Sequence, residues 1–285
     1  MDKKMIDVSQ WNGTVNWDKV DCDGAIIRIA YRGYTAGTIK QDNMFLSNIQ
    51  GATANDIPAG IYFMSQAINE SEAIEEAEYT VNQIKDYDIS LPIFYDSELS
   101  GEKNNNGRAD KLSKAQRTDI CKAFCIRIKE LGYLSGVYAS TSWFKSNLDV
   151  SQLLDYYVWV AQYASTCTAT HRTDMWQYTS KGSVAGISGN VDISHCYTDL
   201  ANTSSTNTLK TKETTIAADK SKATDIFEVK VTADSLRIRK GAGTDYDQVG
   251  SIRDKGVYTI TKTISNWGYL KSGAGWICLD YTKRI

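Results

Sequence analysis

The sequence predicts an α/β barrel followed by a small all-β domain. Within residues 1–200, short apolar runs recur about eight times, with helical or loop segments between them. A stretch rich in Thr, Ser and Lys follows, and the last sixty or so residues contain only short apolar runs split by Gly, Asp and Asn. Strands that alternate with helices in one domain are typical of a (β/α) barrel, and 285 residues suffice for one large and one small domain.

The barrel strands are predicted from apolar runs bounded by polar or turn residues. Residues 26–29 and 157–160 are nearly unbroken apolar runs, as expected for strands covered on both faces. The predicted strands are Lys4–Ser9, Ala25–Ala30, Gly60–Met64, Leu91–Ser97, Gly136–Ser140, Tyr157–Gln162, Asp174–Tyr178 and Val191–Ser194.

Two helices are predicted between these strands, and none near the end of the barrel. Residues 70–87 carry apolar side chains at helical spacing. A capping box of Ser113 and Gln116 begins a second helix, which ends at Leu131–Gly132. After the sixth strand the gaps hold about a dozen residues, too few for good helices. We therefore expect the last three strands to lack covering helices and one of them to run antiparallel.

Composition and charge divide the chain at the same place. Residues 201–224 contain seven Thr, three Ser, four Lys and no aromatic residue, which predicts a flexible linker between domains at 1–200 and 225–285. Residues 1–200 carry 18 Lys and Arg against 25 Asp and Glu, a net −7, and residues 201–285 carry 14 against 9, a net +5, which sum to −2. An acidic bulk argues against nucleic acid as the main partner.

The last domain is predicted to be a small barrel, because its strands are short and closely spaced. They are Phe227–Val231, Leu236–Arg239, Gln248–Ile252, Val257–Lys262, Trp267–Lys271 and Gly275–Leu279.

Several classes of protein are excluded. No apolar run approaches the ~18 residues of a membrane span, and none follows residues 1–4 as a signal peptide would, so we expect a cytosolic protein with no membrane partner. The six cysteines form no C-x-x-C pair, which favours free buried thiols. With only His171 and His195, a histidine-rich zinc site has little to build from, and no cofactor is expected.

Acidic residues at strand ends are the candidate catalytic groups. Asp96 and Glu98 lie two residues apart, so they share a strand face with Cα atoms about 6.6 Å apart. Asp7 and Asp192 follow the first and last strands, which are neighbours in a closed barrel, and the carboxyl ends of barrel strands carry active sites. Crowded carboxyl groups with separated pKa values suit glycosidic cleavage. A solvated Asp-x-Glu at the start of a loop and a calcium or magnesium cage are the alternatives.

Aromatic residues near the same strand ends are candidate sugar contacts, because sugars present flat apolar faces to rings. Trp159 is expected to be core packing, whereas Trp176 and Tyr178 are favoured as contacts because they bracket the polar Gln177. The predicted substrate-binding residues are Trp11, Tyr62, Tyr138, Trp176 and Tyr178.

Together these motifs resemble the glycoside hydrolase family 25 lysozymes over about residues 4–197. The residues that carry the resemblance are Asp7–Gly13 with Trp17, Asp96-x-Glu98, Gly136–Tyr138, Trp159–Tyr163, Trp176–Thr179 and Gly189–Asp192. The resemblance implies a (β/α)5β3 barrel that cleaves the β-1,4 bond from N-acetylmuramic acid to N-acetylglucosamine in peptidoglycan. It also implies that Glu98 is the general acid, that Asp96 orients or polarises the substrate, and that Asp7 and Asp192 tune the site.

The tail, about residues 226–285, resembles a bacterial Src-homology-3-like cell-wall-binding domain in Ser235–Tyr246, Trp267–Lys271 and Gly275–Ile277. Its 10 Lys and Arg against 6 Asp and Glu suit a wall peptide or an anionic wall polymer. The two resemblances imply a bacteriophage endolysin that waits in the host cytoplasm and then acts on a Gram-positive wall. A bacterial or prophage-derived autolysin and a non-catalytic wall-binding protein are the alternatives.

Overall fold

The computed structural model describes residues 2–200, 227–241, 243, 246–264 and 267–285. The chain divides into two compact units, Met1–Thr208 and Leu209–Ile285, and each is described by itself. The linker predicted at 201–224 lies outside the described residues.

The first unit is an eight-stranded barrel with one short extra strand. In chain order its strands are β1 (Lys3–Val8), β2 (Gly24–Arg32), β3 (Ile39–Gln41), β4 (Ala59–Met64), β5 (Ile93–Asp96), β6 (Ser135–Ser140), β7 (Tyr157–Ala161), β8 (Met175–Gly182) and β9 (Val191–Cys196). Within the described residues, pairing runs β1-β9-β8-β7-β6-β5-β4-β2, and β2 pairs back with β1 to close the barrel. All eight predicted strands are confirmed within a few residues, and β3, which pairs antiparallel with the end of β2, was not predicted.

Four α-helices lie in the described part of this unit: α1 (Phe45–Ala54), α2 (Glu70–Ile84), α3 (Lys114–Glu130) and α4 (Thr141–Ser146). The predicted capping box is confirmed at the start of α3. The Ser113 hydroxyl accepts from the backbone N–H of Gln116, and the Gln116 side chain accepts from the backbone N–H of Ser113. Gly132, with φ of +90°, follows the end of the helix in the left-handed conformation that favours glycine.

The last strands depart from the alternation of strand and helix, as predicted. Residues 162–174 and 183–190, all of them described, contain no helix. β8 runs parallel to β7, whereas β9 runs antiparallel to both β8 and β1. The residue at the start of β9 therefore lies beside the residues at the carboxyl ends of the parallel strands.

Apolar side chains fill two separate layers of the barrel unit. One layer packs the helices on the outside of the strands, and the other fills the barrel interior towards the amino ends of the parallel strands. The interior layer consists of Met5, Ile26, Leu91, Phe94, Trp159, Met175, Cys196 and Leu200. Gly136 makes room for one of these side chains, because a Cβ atom there would lie 2.4 Å from the Phe94 ring. Because apolar side chains fill the barrel near the amino ends of its parallel strands, polar residues occupy the interior at the carboxyl ends.

The second unit is an antiparallel β-sheet. Its strands are β10 (Phe227–Val231), β11 (Leu236–Arg239), β12 (Gln248–Ile252), β13 (Val257–Ile264), β14 (Trp267–Leu270), β15 (Trp276–Cys278) and β16 (Thr282–Arg284). In the part of the unit that is described, they pair in the order β12-β11-β15-β14-β13-β10-β16 around a separate apolar core. The six predicted strands are confirmed, and β16 was not predicted.

Two further features concern the chain as a whole. None of the helices in the described ranges is long and apolar enough to cross a membrane. All six cysteines lie in those ranges as free thiols, and Cys121, Cys125 and Cys196 are buried.

Candidate active site

The four predicted acids lie together at one end of the barrel. Asp7 on β1 pairs directly across the strands with Asp192 on β9, and directly paired residues in antiparallel strands have Cβ atoms about 5 Å apart. Asp96 is the last residue of β5, and Glu98 follows it by two positions. Electrostatic interactions connect Asp7 with each of the other three acids. The structure therefore gathers acids that are up to 185 positions apart in the sequence.

Asp7 is one of the two buried acids of this cluster, together with Asp96. Burial raises the pKa of its carboxyl group well above the usual range, and the negative charge of Asp192 raises it further. The side-chain amide of Gln177 donates a hydrogen bond of 2.8 Å to Oδ2 of Asp7, and this hydrogen bond lowers the pKa of Asp7. Because desolvation is the larger effect, Asp7 keeps its proton to higher pH than a free aspartic acid does.

Asp96 and Glu98, which follow one another on and just after β5, form the other pair of acids in the cluster. Burial raises the pKa of Asp96 well above its usual range, and Oδ1 of Asp96 is buried with no hydrogen-bond partner. The Glu98 residue is open to solvent on one side, but protein atoms crowd its carboxyl group from the other, and this desolvation raises its pKa. Glu98 is thus the acid that a ligand entering the barrel mouth can reach, and it retains a proton to higher pH than a free glutamic acid.

Asp192 is less deeply placed. It is half-buried, and desolvation raises the pKa of its carboxyl group to about 6. Asp192 in turn raises the pKa of Asp7 and of Glu98. All four carboxyl groups of the cluster therefore keep their protons to higher pH than free carboxylic acids do, which favours a proton donor for acid–base chemistry on a glycosidic bond.

Arg28 provides a positive charge at the site that was not predicted. It lies on β2, is buried, and donates from Nε to Oδ2 of Asp42 at 2.7 Å. Its Nη2 atom is buried with no hydrogen-bond partner, and its charge lowers the pKa of both Asp96 and Glu98. The signal in the sequence was the arginine inside the apolar run 26–29, since a charge in a covered strand needs a buried partner.

Gln177 is a second polar residue at the site that was not predicted to belong to it. It faces the barrel interior and is 3% exposed. Besides donating to Asp7, its Oε1 accepts hydrogen bonds from the hydroxyl groups of Tyr138 at 2.9 Å and Tyr163 at 3.0 Å. The signal in the sequence was its position between Trp176 and Tyr178. Because successive residues of a strand face opposite sides, Gln177 points to the side that these two rings do not.

Three of the predicted sugar contacts lie where a ligand could meet them. Tyr62 lies among Arg28, Asp7 and Asp96, and burial raises the pKa of its hydroxyl group well above the usual range. Tyr138 on β6 pairs with Asp96 on β5, and its hydroxyl group donates a hydrogen bond to Gln177. Trp11 lies in the 3-10 turn directly after β1, and 81% of it is exposed. Their role in sugar binding stays a prediction.

The prediction is wrong in its placement of Trp176 and Tyr178. They lie on the opposite face of β8 from Gln177, because neighbouring strand residues alternate. Their rings pack on His195, with centroids 5.5 Å and 4.5 Å away, and the Trp176 indole donates to the backbone oxygen of Gln162. The structure does not bring them to the acid cluster. Trp159, in contrast, is 2% exposed inside the barrel, which confirms it as core packing.

The metal cage left open by the sequence is not supported by the geometry. Among the residues that the structure describes, no group of three or more His, Cys, Asp or Glu side chains is arranged to hold a metal ion. The acids instead interact electrostatically with one another and with Arg28, and Asp7 accepts a hydrogen bond from Gln177.

A barrel that gathers four acids at the end where its parallel strands terminate, one of them open to solvent with a raised pKa, has an arrangement that suits a glycoside hydrolase. Residues 6–187 match the family model described as glycosyl hydrolases family 25. The chain belongs to this family.

Similar proteins include lysozymes, autolysins and endolysins. Lysozyme M1 of Streptomyces globisporus is 29% identical over 198 residues, which are 66% of this chain and 65% of that protein. The modular autolysin LytC of Streptococcus pneumoniae is 32% identical with a TM-score of 0.61, over 69% of this chain and 47% of that one. The CTP1L endolysin is 28% identical with a TM-score of 0.56, over 69% of this chain and 67% of that one. The chain covers less than two thirds of the first two proteins.

Proposed function

We propose that the chain is a lysozyme that hydrolyses the β-1,4 bond between N-acetylmuramic acid and N-acetylglucosamine in peptidoglycan. The observation that carries this proposal is the placement of Glu98. Glu98 is open to solvent on one side at the barrel mouth, protein atoms crowd its carboxyl group and raise its pKa, and the three neighbouring acids are more buried. Family membership and the resemblance to lysozymes supply the substrate, and LytC has been solved in complex with a synthetic peptidoglycan ligand.

In this proposal Glu98 donates its proton to the glycosidic oxygen as the bond from that oxygen to the anomeric carbon breaks. The leaving N-acetylglucosamine thereby gains a neutral hydroxyl group. The family resemblance implies that the acetamido oxygen of the substrate stabilises the electron-deficient anomeric carbon and that Asp96 orients or polarises the substrate. Water then adds to the anomeric carbon and its proton returns to Glu98, so that the acid is restored.

Arg28 and the two remaining acids set the charge of the site. Arg28 lowers the pKa of Asp96 and Glu98, while Asp192 raises the pKa of Glu98. These two charges act on Glu98 in opposite directions, and desolvation by the surrounding protein is the larger effect, so the pKa of its carboxyl group lies above that of a free glutamic acid.

The experiment that tests the function is a digest of purified peptidoglycan, reduced with borohydride and analysed by mass spectrometry. We expect reduced muramic acid at the new chain ends. Reduced glucosamine would mean cleavage of the other glycosidic bond, and new amino groups without new reducing ends would mean cleavage of a peptide or amide bond. Either result contradicts the proposal.

A matched variant assigns the general acid in the same digest. Glu98→Gln preserves the size of the side chain but removes its acidic proton, so we expect the rate to fall by at least ~10²-fold. A rate close to that of the wild type would reject Glu98 as the general acid and leave the bond specificity to the digest.

The proposal extends to the class of lysozyme. We assign the first unit to the (β/α)5β3 barrel that the family resemblance implies and the second unit to a Src-homology-3-like domain.

The resemblance to the CTP1L endolysin supports an endolysin that leaves the host cytoplasm and lyses Gram-positive cells. The resemblance to LytC supports a bacterial or prophage-derived autolysin as the second candidate. Deleting the gene separates them, since loss of phage release indicates an endolysin and impaired separation of growing cells indicates an autolysin.

The second unit is proposed to bind the wall, through a wall peptide or an anionic wall polymer. A cavity of about 550 Å³ on this unit is lined by Arg237, Arg239, Trp267 and Tyr281, among others. Guanidinium groups beside aromatic rings suit a ligand with carboxylate or phosphate groups. Sedimentation of the full chain with purified walls, before and after extraction of the anionic polymers, distinguishes the two ligands.

A further inference from the structure

Gln177 joins a buried acid to an exposed ring. Its amide nitrogen donates to Oδ2 of Asp7 at 2.8 Å, and its amide oxygen accepts from the Tyr138 and Tyr163 hydroxyl groups at 2.9 Å and 3.0 Å. Gln177 and Asp7 are both buried, whereas Tyr163 is 60% exposed. A buried amide whose oxygen and nitrogen are both used has one orientation that satisfies its partners.

Tyr163 lies two residues beyond the carboxyl end of β7. Its hydroxyl group is held from two sides, since it donates to Gln177 and also forms a hydrogen bond with the Ser180 side chain. The backbone is fixed as well, because the N–H of the preceding residue, Gln162, donates to the backbone oxygen of Gln177 at 3.0 Å. The ring is thus oriented before any ligand arrives, although most of its surface faces solvent.

The exposed ring lies beside the acid cluster. The charges of Asp192, Asp7 and Glu98 all raise the pKa of the Tyr163 hydroxyl group, an effect that requires short distances. Sugar rings stack on aromatic faces, and an exposed, oriented ring next to the reacting groups offers such a face without a further loss of side-chain freedom.

We propose that Tyr163 is a sugar-binding residue of this site and that Gln177 is a positioning residue that holds both the Tyr163 ring and Asp7 in place. The inference rests on the proposed function, and it names one side chain that contacts the glycan substrate. It predicts two separable effects: substrate binding depends on the ring of Tyr163, and the ionisation of Asp7 depends on the amide of Gln177.

The first effect is measured with Tyr163→Ala and Tyr163→Phe in the full chain. The alanine variant loses the ring, so we expect KM for a peptide-free tetrasaccharide of alternating N-acetylglucosamine and N-acetylmuramic acid to rise about tenfold. The phenylalanine variant retains the ring and should stay within about threefold of the wild type. Tyr197→Ala is the matched control, since Tyr197 is 47% exposed but follows β9 at the opposite end of the barrel. Equal KM values in all three variants overturn the contact.

The second effect is measured as a pH profile of kcat/KM. The groups that act on Asp7 or are acted on by it are Gln177, Asp192, Asp96, Glu98, Tyr62, Tyr138 and Tyr163. The Gln177 amide stabilises the ionised form of Asp7, so Gln177→Met should shift the acidic limb of the profile to higher pH. Gln177→Glu retains an acceptor for the two tyrosines but adds a negative charge, so it should shift the limb further and raise KM less than Gln177→Met does. An unchanged limb in both folded variants, as judged by near-ultraviolet circular dichroism, overturns the positioning role.

Failure of the inference is distinguishable from failure of the proposed function. Calorimetric binding of the same tetrasaccharide to the full chain carrying Glu98→Gln requires no turnover. Binding that weakens about tenfold when Tyr163→Ala is added supports the contact even if the digest shows another bond cleaved. Binding that does not change, together with muramidase products from the wild type, rejects the contact and preserves the function.

Discussion

Asp192 illustrates how a single acid of the cluster affects the stability of the fold. Its pKa is raised from 3.8 to about 6, so the folded state binds this proton more tightly than the unfolded chain does. The stability that the proton contributes is fully present below about pH 3.8 and is lost as the pH rises through about 6.

We therefore expect Asp192→Asn to raise the melting temperature at pH 7.5 and to leave it nearly unchanged at pH 4, because the amide removes a charge that the fold disfavours. Thermal unfolding followed by circular dichroism at both pH values measures this. Asp119→Asn, an exposed substitution on α3, is the control and should have no effect at either pH. A melting temperature at pH 7.5 equal to that of the wild type contradicts the prediction.

The four acids could be predicted from the sequence because each is close to a strand end that its apolar run defines. Arg28 and Gln177 could not, since their importance depends on contacts across the barrel with residues far away in the chain. Trp176 and Tyr178 were misplaced for a simpler reason. Moving a strand by one residue exchanges its two faces, and nothing in the local sequence shows which parity points inward.

At the scale of elements, the sequence indicates some helices much more strongly than others. The capping box of α3 is local, so it could be read directly. α1 contains Gly51 and Asn48, which favour helix weakly, and it was not predicted as a helix. The glycine is required by a tertiary contact: a Cβ at Gly51 would lie 2.1 Å from the Trp17 ring. Packing against the barrel, and not helix propensity, stabilises this helix.

The capping box gives a prediction for α3. Ser113→Ala removes the acceptor for the backbone N–H of Gln116, so we expect a loss of about 1 kcal/mol in the free energy of unfolding. Ser113→Asp offers another acceptor and should restore most of it. Urea denaturation of the three proteins at pH 7 measures the difference. If alanine and aspartate behave alike, the hydrogen bond does not stabilise the helix.

At the scale of the whole molecule, the two units have separate apolar cores and opposite charge balance. Composition predicts this division, because residues 201–224 are rich in Thr, Ser and Lys and contain no aromatic residue. Attachment to the wall raises the effective concentration of a catalytic unit at its substrate without any new contact at the active site.

Deletion of residues 201–285 should therefore leave turnover on soluble glycan fragments within about twofold and reduce lysis of intact cells by about 10² or more, the lower range for a lost second attachment. Turbidity loss of cell suspensions and reducing-sugar release from fragments measure the two activities. Arg237→Ser with Arg239→Ser, in the full chain, should reproduce part of the loss on cells. Equal lysis by the truncated and full chains would reject the targeting role.

The antiparallel course of β9 brings the two ends of the barrel unit together. Lys3 pairs with Cys196, and Leu200 packs under the barrel at the end away from the acids. A short peptide joining these ends would allow the chain to be opened elsewhere, for example in the exposed connection at 164–166, with the four acids still in place. The order in which the gene encodes the strands is thus one of several that yield the same barrel, and circularly permuted forms are open to construction.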